Sequence, residues 1–263
     1  MTTERQPFFP FTVLRFLIGY ATYYGANFVF ITVGGPLLLL LTFVPRAKAW
    51  IMQVVVHHYL AFLSRRWLPV LGIYQIAELP AAIPPQPVVY VANHRGFMDA
   101  PLLLGLLPRT GVLVKTHYTR WMLPGILARH FDLVAIDPNS RASVQAALER
   151  CRAITAAGRS LLVFPEGTRA RTGRLGRFKE VAFRLAVETC TPVAPVVIHS
   201  TQPFMAKVPG SVFPRRRNVY RIRLLDLDAV LPDDSSDALA DRVYQRMARE
   251  LKELDRGTVW ETL

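Results

Sequence analysis

The chain has 263 residues and is 51% hydrophobic, with a positive mean hydropathy of +0.24, high for a freely soluble domain. Its formal charge is +13, which calls for an anionic partner, either nucleic acid or an acidic membrane surface. No zinc-finger spacing or RNA-recognition signature is present, and the basic residues accompany apolar sequence rather than an aromatic-studded polar groove. Nucleic acid is therefore set aside in favour of lipid headgroups and a phosphate-bearing substrate.

The apolar surplus lies near the N-terminus, where Arg15 is the only charge between Phe8 and Val44. A bilayer crossing takes about 20 apolar residues, so this stretch supports one crossing from about Phe16 onward or a bent hairpin turning near Gly34-Gly35-Pro36. It is too long for a cleaved leader and lacks a convincing small-residue cleavage site after Val44. Arg5, Arg15, Arg46, Lys48, Arg65 and Arg66 flank or punctuate a region with no acid between Glu4 and Glu78. That distribution fits a hairpin with both ends cytoplasmic, with a single span as the alternative. Residues 49–63 are apolar for a length short of a crossing and suit an interfacial or packing helix. We expect residues 1–70 to form membrane-associated helices and residues 71–263 an α/β domain with a central mixed sheet flanked by helices.

After Pro84, Pro85 and Pro87, the run Val88-Val-Tyr-Val-Ala92 is a short buried strand. It ends in Asn93-His94-Arg95-Gly96-Phe97-Met98-Asp99, and Pro101 suits the first turn of a following helix. In one regular helix, side chains five apart diverge by roughly 140°, so His94 and Asp99 meet only if His94 sits in the lead-in turn. A carboxylate accepting from Nδ1–H would then orient the imidazole and leave Nε2 free to take a proton. No serine nucleophile lies nearby, so the activated hydroxyl belongs to a substrate. Alone, this spacing reads more readily as a satisfied corner histidine and a helix cap.

Further strands are expected at residues 111–115, ending in Lys115, and at 132–136; a helix at 141–157 stops at Gly158. Residues 121–128 form an apolar patch broken by Pro124-Gly125, either a broken core helix or a membrane-facing or acyl-chain-contacting element. The run Leu161-Leu162-Val163 leads into Phe164-Pro165-Glu166-Gly167-Thr168-Arg169, then a loop with Arg171, Arg174, Arg177 and Lys179 that reads as solvated. Residues 192–198 form another apolar run, 200–218 a loop with Arg215-Arg216-Arg217, 219–227 a strand, and 235–254 an amphipathic helix after an Asp233-Asp234-Ser235 cap. Cys151 and Cys190 lack metal-ligand spacing and read as reduced core residues; His57 and His58 are adjacent and point different ways, so no metal site is expected.

Three blocks in order, Asn-His-x4-Asp, Phe-Pro-Glu-Gly-Thr-Arg and Val-Ala-Pro-Val-Val-Ile, resemble the glycerolipid acyltransferase family, in particular its 1-acylglycerol-3-phosphate acyltransferases. One departure stands at Glu180-Val181-Ala182, where such enzymes often have Lys-Gly-Ala or Pro-Gly-Ala. The resemblance implies transfer of a fatty acyl group from acyl-CoA or acyl carrier protein to a lysophospholipid hydroxyl, giving phosphatidic acid, at a membrane whose cytoplasmic face carries the catalytic domain. It makes His94 and Asp99 the catalytic pair and assigns Glu166, Gly167, Thr168 and Arg169 to the acceptor, with Arg169 on the phosphate. Lys115 is a further phosphate or oxyanion contact, and Glu166 either accepts from the acceptor hydroxyl or braces Arg169. The chemistry requires no metal or tightly bound cofactor. Another lysolipid acceptor, or a non-catalytic lipid carrier with the same fold, are the alternatives.

Overall fold

The computed structural model describes residues 9–41, 55, 57–116, 132–214 and 218–263. Three of the apolar runs are strands whose residues are all buried: β2 (Val89–Ala92), β5 (Ser160–Val163) and β6 (Val193–Ser200). A strand covered on both faces needs no polar alternation, hence the continuous apolar reading. With β1 (Tyr74–Glu78), β3 (Thr110–Lys115), β4 (Leu133–Ile136) and β7 (Asn218–Leu224) they form one sheet in the order β1-β7-β6-β2-β5-β3-β4. The strands from β6 to β4 are mutually parallel, β7 runs antiparallel to β6, and β1 runs parallel to β7. The sheet is mixed, as expected.

Successive side chains leave opposite faces of a strand, and the two cores follow this period of two. Val89, Val91, Leu161 and Val163 join one apolar cluster, whereas Tyr90, Ala92 and Leu162 join the other. The first is covered by α6 (Arg141–Ala156), α7 (Val181–Thr189) and α8 (Ser236–Asp255). Serines start two of these helices, the second within the expected cap: Ser140 Oγ accepts from Ser143 N and Ser235 Oγ from Ala238 N. The second face is covered by α1 (Phe9–Val29), by α3 (His57–Phe62) running on through a wide turn into α4 (Leu68–Val70), and by α5 (Asp99–Leu104). Gly105 lets α5 approach α3 closely, since a Cβ there would lie 2.6 Å from the Ala61 nitrogen.

At Gly34-Gly35-Pro36 the chain neither turns back nor breaks. A π-helical turn, Phe30–Gly34, carries α1 into α2 (Gly35–Leu41), with Gly35 N bonded to Phe30 O. Pro36 has no N–H to continue the regular ladder, and the helix widens ahead of it. The result is one long helix from Phe9 to Leu41; the first part of the 49–63 segment, the 121–128 patch and the 215–217 arginines lie outside the described residues. Within it, Phe11–Leu37 is long and apolar enough to cross a membrane. Phe16 and Tyr23 pack inward, while Phe11, Leu14, Phe28, Val33 and Leu37 are all more than half exposed.

Cys151 is buried in α6, where burial pushes its thiol up to about 12. Cys190 departs from the core reading: it caps the C-terminus of α7 in the left-handed conformation and is exposed, because a residue that ends a helix in this way points off its buried face.

Candidate active site

The strand register alone brings two of the motif blocks together. Val91 of β2 pairs with Val163 of β5, so residues three positions further on, His94 and Glu166, emerge side by side beyond the carboxyl ends of the parallel strands, where sites of α/β sheets gather. His94 N donates to Glu166 Oε1 at 2.7 Å, and Gly176 N donates to Oε2 at 2.8 Å. On the other side, Asn93 staples the turn to β6: its Nδ2 donates to Ile198 O at 2.9 Å and its Oδ1 accepts from Ile198 N at 2.7 Å. Ala170 N closes the loop by donating to His94 O at 2.7 Å.

Within this frame His94 Nδ1 lies 2.9 Å from Oδ2 of Asp99, the first residue of α5, which is fully buried. The same oxygen accepts from Gly96 N at 2.7 Å, which curls the turn and brings together side chains that one helix would separate. Gly96 is required there, since a Cβ would lie 2.3 Å from Phe204 O. The Nδ1 contact defines that nitrogen as the proton bearer and leaves Nε2 as the basic one. The imidazole rests on the Phe164 ring, centroids 4.3 Å apart, and about 20% of the His94 side chain is exposed.

The family model described as Acyltransferase matches residues 76–199, from β1 to the penultimate residue of β6 and so through the whole of this frame. Residues 76–199 of the chain are thus similar to an acyltransferase domain. It is 32% identical over 164 residues to the chloroplastic 1-acyl-sn-glycerol-3-phosphate acyltransferase BAT2 of Brassica napus, a match covering 57% of this chain and 44% of that one. Against the Bos taurus 1-acyl-sn-glycerol-3-phosphate acyltransferase alpha, identity is 30% over 173 residues, covering 65% and 60% respectively. The chain thus spans about half the length of the curated relatives it matches. The fold is similar to that of the 1-acyl-sn-glycerophosphate acyltransferase PlsC from Thermotoga maritima, with a TM-score of 0.70 at 22% identity, covering 92% of this chain and 97% of that structure.

In this frame the second block forms a tight corner. Gly167 N donates to Phe164 O, and Gly167 has a φ of +64°, open to glycine at no steric cost. Both Glu166 carboxylate oxygens are engaged by main-chain amides, Oε1 by His94 N and Oε2 by Gly176 N. Burial raises its carboxyl above the usual range, and those two amides pull the other way. A Cβ on Gly176 would sit 2.7 Å from Glu166 Oε2, so that glycine is part of the same bridge.

Arg169 Nη1 donates to Met205 O at 2.6 Å, which holds the guanidinium against the loop after β6. Lys207, on that loop, donates from Nζ to Thr168 Oγ1 at 2.7 Å, and its main-chain N donates to Ala170 O. Desolvation lowers the Lys207 pKa, and the neighbouring charges of Arg171, Lys115 and Arg169 lower it further. Lys115, at the end of β3, therefore shares a field with Arg169, Arg171 and Lys207, and the charges acting on Lys207 are all positive. Lys207 is the residue sequence reasoning missed, because it sits in a loop with no periodicity and no motif. The expected solvated residues Arg171, Arg174, Arg177 and Lys179 are exposed. Glu180, in the block that departs from the usual pattern, immediately precedes α7 and accepts from Ser236 Oγ, which ties it to α8.

Proposed function

We propose that the protein is a membrane-attached 1-acylglycerol-3-phosphate acyltransferase. The observation that carries this reading is the His94–Asp99 contact, set at the end of the parallel strands beside the Arg169, Lys207 and Lys115 charges. The names of the relatives given above support the choice of acceptor.

In the proposed step the acceptor phosphate lies on Arg169 and Lys207, with Lys115 at its edge. Arg169 offers the guanidinium donors not used by Met205, and Lys207 adds a point charge. His94 Nε2 takes the proton of the acceptor hydroxyl as that oxygen attacks the thioester carbonyl of acyl-CoA or acyl carrier protein. Asp99 stabilises the imidazolium as it forms; a positioned base of this kind is typically responsible for about 10² to 10⁴ of the rate. The C–O bond forms, the tetrahedral intermediate collapses with cleavage of the C–S bond, and the proton passes from His94 to the departing thiolate. Only thioester and acceptor are consumed.

Membrane attachment rests on the exposed apolar strip of α1 and α2, joined by Phe62, Trp67 and Val70. On this reading the catalytic domain lies on the cytoplasmic face, which the basic residues Arg46, Lys48, Arg65 and Arg66 after the apolar helix support. The test is thiol release from acyl-CoA or acyl carrier protein by membranes carrying the protein, with lysophosphatidic acid supplied and the product identified by mass. Phosphatidic acid formed by wild type and lost by at least about 10²-fold in His94→Ala, with membrane attachment intact, is the expected result. Near-normal turnover in the variant would remove His94 from the role of base.

A further inference from the structure

Arg95, next to His94, projects away from the His94–Asp99 pair into a buried contact with the C-terminal end of the chain. Its guanidinium makes a two-pronged pair with Asp255, Nη1 to Oδ1 at 2.9 Å and Nη2 to Oδ2. Both side chains are less than 10% exposed. Asp255 is the last residue of α8, and Thr258 caps it by donating through both N and Oγ1 to Asp255 O. That turn folds the chain back so that Trp260 lies against Arg95, the guanidinium carbon 4.4 Å from the ring centroid. Trp260 is 2% exposed, and its Nε1 donates to Ser200 Oγ at the end of β6.

The same tryptophan touches the other end of the frame. A Cβ on Gly173 would lie 1.7 Å from Trp260 O, so loop 170–176 runs directly over the Trp260 backbone. Three residues further on, Gly176 holds one oxygen of Glu166, while the other oxygen holds His94 N. Trp260 thus abuts both strands of chain that Glu166 bridges, one through Arg95 and one at Gly173.

We propose that Asp255 and Trp260 are positioning residues: the C-terminal segment clamps the Arg95 side of the catalytic turn and the loop that supplies Gly176, and so holds His94 in register with Asp99. A desolvated two-pronged ion pair stacked on an indole has one geometry, unlike a flexible surface pair, and suits the fixing of a main-chain turn. The role in catalysis rests on the acyltransfer reading; the mechanical role does not.

The test uses the full chain in lipid vesicles and compares Trp260→Leu, Trp260→Phe, Asp255→Asn and, as a stability control in the same helix, Leu251→Ala. Amide hydrogen exchange is followed over residues 93–98 and 170–178 and over strand β2. Expected for Trp260→Leu is faster exchange at His94 and Gly176 by about tenfold or more with Val89 and Val91 unchanged, and kcat lower by about 10- to 100-fold with KM within about twofold, the scale of a small misplacement of a reacting group. Trp260→Phe, which keeps an aromatic face for Arg95, should recover most of the loss. Leu251→Ala should lower the thermal midpoint with kcat near wild type. Unchanged exchange at His94 and Gly176 in Trp260→Leu would overturn the proposal, as would a kcat loss matched by Leu251→Ala at an equal drop in midpoint. Should Trp260→Leu fail to fold, Asp255→Asn is read by the same criteria. If wild type transfers no acyl group to lysophosphatidic acid, the reading of function fails, and the exchange measurement still decides the clamp.

Discussion

Glu166→Gln separates two roles for the carboxylate at the second corner. The native side chain offers an acceptor to each of two main-chain donors, His94 N at 2.7 Å and Gly176 N at 2.8 Å. Glutamine has one acceptor oxygen and an NH₂ group, so one of those N–H groups loses its partner and faces another donor. A hydrogen bond to a charged group contributes about 1.5–3 kcal/mol. Against this, the neutral amide is spared the burial cost that raises the Glu166 carboxyl, leaving a net destabilisation of about 1–2 kcal/mol. Borne in full by the transition state, whose geometry this turn fixes, the loss is about tenfold in rate, at 1.36 kcal/mol per decade. Initial rates across a range of lysophosphatidic acid, with wild type and variant in identical vesicles, should show kcat down about tenfold and KM unchanged. The sign with pH is also defined: a carboxyl held above its ordinary value in the fold is stabilising while protonated. That contribution is lost as pH rises through the raised value, and the glutamine variant should lack this slope. A variant with wild-type kcat and stability but a strongly raised KM for the acceptor would refute the bridge and return Glu166 to the substrate.

Arg169→Ala and Lys207→Ala should each raise the KM for lysophosphatidic acid by about tenfold or more while leaving transfer to a monoacylglycerol without phosphate unaffected; an equal loss on both acceptors would remove them from the phosphate. His199 is buried among Arg95, Arg221, Arg223, Glu78 and Asp255, and burial followed by those arginines depresses its pKa to about 4. A depressed histidine stabilises the fold above its unfolded value and loses that contribution as pH falls, so about 2–3 kcal/mol should vanish between roughly pH 6.5 and 4. Urea titrations of wild type and His199→Gln across that range should show the slope in wild type alone. Gly173→Ala, whose new methyl would meet Trp260 O, should destabilise by about 1–3 kcal/mol, read as a lower urea midpoint at unchanged slope.

The parts of the fold that follow a period were readable. Val88 to Ala92, Leu161 to Val163 and the 192–198 run gave central strands because burial on both faces leaves an apolar run with breakers at its ends. Asn93 to Asp99 was readable as a turn entering a helix because Pro101 and Asp99 mark the helix start. Strand β1 carried no such mark: it lies at the sheet edge with mixed burial, and its place is settled by pairing with β7, a strand 140 residues later. Glu166 was visible as a motif member, but its partners are amides, which leave no trace in side-chain sequence. Lys207, Asp255 and Trp260 reach the site from loops and a helix end, through contacts spanning 39 and 160 positions for the first two. No local pattern encodes contacts of that separation.

The packing of α1 has a consequence for how substrate meets enzyme. Phe16 and Tyr20 pack against Phe204 and Phe213, with Tyr20 stacked on Phe204, and Tyr20 donates to Val212 O. Those partners sit on the loop that carries Met205 and Lys207, while Tyr23 and Tyr24 meet Phe97 beside the His94 turn. On the proposed function, α1 is a wall of the site rather than a tether to it. With the helix seated in a bilayer, the height of His94 above the lipid is set by aromatic packing and does not vary from one encounter to the next. Acceptor would then arrive by lateral diffusion, its tails never leaving hydrocarbon. On that reading, the concentration that governs turnover would be the mole fraction of lysolipid in the leaflet, not its amount in solution.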